Sequence, residues 1–178
     1  MTMRRGRGFT LIELMVALGI AAFLLVLAAP GFSRWIADSE IHNAAQSVAG
    51  ALRMAQAEAI KQNRPVQFVM NTGTGAWAVQ LASTGTDIHV GAFAEGSARV
   101  VFTTSPASLS TVTYDGLGQI AANADASATI DRITLTSPTV AGTRTLTVLV
   151  RKTAGAVTTQ SVKICDPYYT FPDPKACP

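Results

Sequence analysis

Arg4-Arg5-Gly6-Arg7-Gly8-Phe9-Thr10-Leu11-Ile12-Glu13 leads straight into an apolar run that lasts to Ala29. Between Phe9 and Ala29 the sole ionisable side chain is Glu13. As a helix rising 1.5 Å per residue, this stretch measures about 30 Å, the thickness of a hydrocarbon core. A secretory signal shares the basic start and the apolar core. It would close with a small-residue cleavage site, and Leu25-Val26-Leu27-Ala28-Ala29-Pro30 offers a weak one. A plain membrane anchor would have no use for Glu13. A charge placed centrally in a span costs roughly 2.5–3.5 kcal/mol, so the pattern demands something that offsets the carboxylate.

Gly8, Phe9, Thr10, Leu11, Ile12, Glu13, Leu14 and Met15 resemble the class III signal of type IV pilins and type II secretion pseudopilins. The resemblance implies cleavage after Gly8 by a prepilin peptidase, N-methylation of the new N-terminus Phe9, and pairing of Glu13 with the N-terminal amine of a neighbouring subunit. A second stretch, with Arg53, Ala57, Glu58, Ala59, Ile60 and Asn63, is similar to the segment after the anchor in the GspH/FimT subgroup. The expected organisation is a cytoplasmic leader at 1–8, a transmembrane or filament-core helix at 9–29, an amphipathic helix at 30–64 and a periplasmic β-rich domain at 65–178. The expected place is the inner membrane, crossed once, with the product entering a pilus or pseudopilus.

The formal charge of +3 and pI near 9.1 are not a nucleic-acid signal. Three of the 14 basic residues stand before the span, where they act as the positive-inside signal. Beyond Gly8 basic and acidic side chains balance. Export also bears on Cys165 and Cys177, the two cysteines of the chain. An even pair in an oxidising compartment favours a disulfide. The competing metal pair needs further ligands, and the histidines, His42 and His89, are far off in sequence.

Pro30 and Gly31 follow the run, and a helical pattern then resumes: Ile41, Ala45, Val48, Leu52, Ala55 and Ala59 recur at spacings of three and four, one apolar face. The spacing predicts one helix from about Phe9 to Asn63, bent near Pro30 and stopped by Asn63-Arg64-Pro65. Beyond it the period shortens. Strands are expected at Val66–Met70 and Ala76–Leu81 around the turn Asn71–Gly75. Others are expected at Arg99–Thr103, Ser110–Tyr114, Ile130–Thr136, Thr145–Arg151 and Ser161–Cys165. Ser83 to Ser97 and Ala121 to Ser127 read as loops. The fold class is α+β: a long N-terminal helix packed on an antiparallel β-sheet, with a disulfide-stapled tail.

No catalytic constellation stands out; HExxH, GxSxG and P-loop patterns are absent from the sequence, and neither an enzyme, a cofactor nor a bound metal is expected. His42, His89 and Trp77 read as structural. From Ile133 onward Arg144, Arg151, Lys152, Lys163 and Lys175 face only Asp166 and Asp173. Some FimT-like minor pilins bind DNA through Gly-Arg-x-Arg before the first C-terminal cysteine. The corresponding Gln160-Ser161-Val162-Lys163 keeps a single charge, so candidate DNA contacts are Arg151, Lys152, Lys163 and Lys175. The ending Ile164 to Pro178 resembles FimT/FimU proteins. The resemblance thus implies a minor pilin of a type IV pilus that partners other pilin subunits. The alternatives are a GspH-type minor pseudopilin of a type II secretion system and a DNA-binding minor pilin for transformation.

Overall fold

A computed structural model describes residues 9–93, 99–150, 162–170 and 172–177. Thr10 is extended (φ −83°, ψ 150°) and its hydroxyl accepts the Glu13 N–H at 3.3 Å. That is an N-cap, which satisfies one of the amides a helix start leaves unpaired. Helix α1 then runs over Leu11–Gln62, 52 residues with Pro30 inside. The helix therefore continues past the proline, as apolar helices more readily do than soluble ones. It stops at Asn63, whose left-handed backbone (φ 48°, ψ 43°) turns its N–H onto the carbonyls of Ala59 and Ile60. Asparagine tolerates that conformation, and Pro65 prevents another turn.

Among the described residues nine strands follow: β1 (Val66–Met70), β2 (Ala76–Leu81), β3 (Asp87–Ala92), β4 (Val101–Ser105), β5 (Thr111–Tyr114), β6 (Ile120–Ala121), β7 (Arg132–Thr136), β8 (Leu146–Val150) and β9 (Val162–Cys165). They form two antiparallel sheets, ordered β3-β2-β1-β5-β6 and β4-β7-β8-β9. The expected long helix packed on antiparallel sheet is what the structure has, with the strands divided between two sheets. The β1–β2 hairpin pairs Val66 with Leu81 and Met70 with Trp77. Its turn is held by the Asn71 side chain, whose Oδ1 accepts the N–H groups of Gly73 and Thr74 at 2.9 and 3.1 Å.

The loop expected over Ser83 to Ser97 is corrected in part, because β3 lies within it; residues 94–98 are outside the described residues, as are Arg151 and Ser161. Strand β3 escapes a pattern search because it is an edge strand, exposed or half-buried at every position, so nothing forces an apolar–polar alternation.

The core forms where α1 meets both sheets. Ile41, Ala44, Ala45, Val48, Leu52 and Ala55 are buried in it together with Phe68, Val79, Val112, Ile133, Leu135 and Val148. Alanine at so many positions lets the helix axis approach the sheets closely. An aromatic row crosses the molecule: ring centroids lie 6.4 Å apart for Phe68–Trp77, 5.8 Å for Trp77–Phe93 and 5.4 Å for Phe93–Phe102. Trp77 is core-associated, as its alternation with Val79 and Leu81 implies.

Candidate functional site

The composition of α1 divides it. Its N-terminal half is apolar and long enough to cross a membrane, and none of that window is buried. Phe9, Leu11, Ile12, Leu14, Met15 and Val16 are all exposed. Glu13 sits among them, exposed, in the first turn. There the positive end of the helix dipole favours a carboxylate, typically by 0.3–1 kcal/mol. Thr10 was missed as a site residue although its signal was present: Thr10-x-x-Glu13 has capping-box spacing. Phe9 is described but Gly8 is not, so the expected cleavage bond lies at the edge of the described residues.

The second half of α1 carries the sheets, and two side chains tie its outer turns to them. Arg53 Nη2 donates to the Val162 carbonyl at 3.2 Å, and Gln56 Nε2 donates to the Gly118 carbonyl at 2.9 Å. Near the helix C-terminus Glu58 accepts from Gln62 and Lys61 and lies 3.7 Å from His89 Nε2 on β3. These hydrogen bonds, Gln62 first and Lys61 next, hold the Glu58 carboxyl below its usual range. His89 thus meets a carboxylate; His42 is exposed.

At the chain end Cys165 and Cys177 form a disulfide, so the metal-pair alternative falls. The cap it closes is also hydrogen-bonded. Asp166 N–H donates to the Lys175 carbonyl at 2.8 Å, Tyr168 N–H to Asp166 Oδ1 at 2.9 Å, and Lys163 Nζ to the Ala176 carbonyl at 3.3 Å. Lys175 Nζ stands 5.6 Å from the centre of the Tyr169 ring. The structure therefore brings Lys163 and Lys175 to one cap, with Lys163 partly engaged. Arg151 and Lys152 lie outside the described residues. Among the described residues no group of three or more His, Cys, Asp or Glu is placed to hold a metal ion.

A bare apolar half-helix continuous with a small-residue half packed on antiparallel sheets defines the class of pilin-like subunits. The chain belongs to the GspH family: the model of type II transport protein GspH matches residues 44–154, and that of the prokaryotic N-terminal methylation motif matches residues 3–29. No curated protein matches significantly. Among solved structures, the minor pseudopilin EpsH from the Type 2 Secretion System of Vibrio cholerae is similar at 11% identity and TM-score 0.51, over 73% of this chain and 99% of that one. The type IV minor pilin FimU of Pseudomonas aeruginosa is similar at 15% identity and TM-score 0.47, over 62% and 83%. The fold likeness to EpsH and the family match agree on a pilin- or pseudopilin-type subunit.

Proposed function

We propose that the chain is a minor pilin, inserted in the inner membrane by residues 9–29 with its sheet domain in the periplasm, cleaved between Gly8 and Phe9, methylated at Phe9, and passed into a type IV pilus. The observation that carries this reading is Glu13, the one charge on an otherwise apolar, uncovered helix surface. In lipid that carboxylate is costly; beside the free amine at Phe9 of a neighbouring subunit it gains a charge-assisted pair. Exchange of lipid for a bundle of like helices thereby acquires a direction and a register. The C-terminal disulfide favours the pilus over other machines, because the ending resembles FimT/FimU minor pilins.

The decisive variant is Glu13→Gln. Glutamine serves as well as glutamate at the third helical position of a capping box, so the helix start survives while the charge goes. Filaments sheared from cells should lose the variant by at least tenfold, while its membrane level and its cleavage before Phe9 stay normal. Wild-type incorporation of Glu13→Gln would refute the charge-pair role. Intact mass of the wild-type product, starting at methylated Phe9, checks the processing step.

A specific observation also favours a second reading, a minor pseudopilin of a type II secretion system: the matching family is that of a type II transport protein and the fold is shared with EpsH. Deleting the gene separates the two. Loss of twitching or transformation supports the pilus, and loss of exoprotein release supports secretion.

A further inference from the structure

The apolar surface of α1 does not end where the uninterrupted apolar sequence ends. Past Ala29, Phe32 and Trp35 are 61% and 66% exposed, their rings stacked with centroids 5.9 Å apart. Phe32 and Trp35 stand three and six residues beyond Ala29, about 4.5 and 9 Å along the helix, within and at the outer edge of a headgroup layer about 5–8 Å deep. Tryptophan, with an apolar ring and a polar N–H, concentrates at the membrane–water interface. The sheet domain reaches down to the same level. Asp38 Oδ1 accepts the backbone N–H of Arg144 at 2.8 Å, fastening the β7–β8 loop to α1. A Cβ built on Gly142, in that loop, would lie 3.9 Å from the Arg34 guanidinium. Trp35, Asp38, Arg144 and Leu146 line one groove there. Arg34 and Arg144 are both exposed; Asp38 is engaged with the loop amide, and the Asp166 carboxylate, which shares a second groove with Arg144, accepts the Tyr168 N–H.

We propose that Phe32, Arg34, Trp35 and the Arg144-bearing β7–β8 loop form a docking surface for anionic phospholipid headgroups, which rests the sheet domain on the leaflet from which α1 emerges. This rests on the membrane-anchor reading above. The occupant follows from continuity with the apolar half-helix and from charge: two guanidinium groups beside a stacked aromatic pair match phosphate oxygens above an acyl boundary. Before assembly the domain would sit on the membrane in one orientation, and withdrawal into a filament would have to break that contact.

The test is hydrogen–deuterium exchange of the full chain in nanodiscs of zwitterionic lipid and of zwitterionic lipid with phosphatidylglycerol. One basic residue near an anionic surface shifts an equilibrium roughly fivefold, so two should shift docking about 25-fold. Amides of residues 139–145 should exchange at least tenfold more slowly in the anionic discs. The protection should vanish near 1 M salt, where the screening length is about 3 Å. The variant R34Q/R144Q should lose the protection and R34K/R144K should largely keep it. Both retain the Asp38 contact, which uses the backbone of residue 144, and unchanged exchange in β1 and β5 verifies the fold. Equal exchange in the two lipids, with residues 11–29 protected, overturns the docking surface and leaves the anchor standing. Unprotected 11–29 overturns the anchor reading itself.

Discussion

Thr10 and Glu13 occupy the same helix start and do different work there. Thr10 supplies an oxygen to the Glu13 amide, a local backbone matter. Glu13 supplies a net charge, which matters only to another molecule or to the helix dipole. Replacing Thr10 by alanine should cost about 1 kcal/mol of local helix stability, so amides of residues 11–14 in detergent micelles should exchange about fivefold faster. Thr10→Ser should behave as wild type, since serine caps at least as well. Equal exchange in Thr10→Ala would show that the first turn is held by something other than this hydroxyl. Glu13 was legible in the sequence because a lone carboxylate contradicts its apolar surroundings. Thr10 was equally legible, but its role is masked by the more conspicuous signal around it.

At the scale of elements, what could be read in advance is what local chemistry decides. Asn63-Arg64-Pro65 stops α1 because asparagine accepts a left-handed backbone and proline removes a donor. Asn71 folds the β1–β2 turn over its own amides. The division into two sheets is not local. It depends on pairings such as Val66 with Tyr114, far apart in the chain, and on β3, whose exposed positions carry no period. The contact of Asp38 with Arg144 spans 106 residues and leaves no trace in either segment. The C-terminal cap lies between these cases: its cysteines announce a staple, whereas the hydrogen bonds of Asp166 and Lys163 do not. Closing 12 residues should stabilise the fold by about 3 kcal/mol on the chain-entropy account. The double variant C165A/C177A should therefore melt at a clearly lower temperature, by roughly 5–10 °C for a domain of this size. Reduced wild-type protein should match it. A variant that melts with the oxidised wild type would mean the cap is held without its disulfide.

At the scale of the molecule, one helix serves two sheets. Residues of α1 pack on β1, β2 and β5 in the first sheet and on β7, β8 and β9 in the second, and the Phe93–Phe102 contact joins them again beyond the helix. Two sheets that share one core wall should open together, because losing the wall exposes both apolar faces at once. Leu52 is fully buried in that wall. Leu52→Ala should destabilise by about 2–5 kcal/mol, and the loss should be felt equally on either side. Amide exchange in β1 and β5 and in β7 and β8 should accelerate by the same factor, and thermal unfolding should remain one transition. Faster exchange confined to one sheet would show that α1 anchors that sheet alone, with the other folded as its own unit. That outcome would also limit the proposed membrane contact: the β7–β8 loop can orient the whole domain on a leaflet only if the two sheets move as one body.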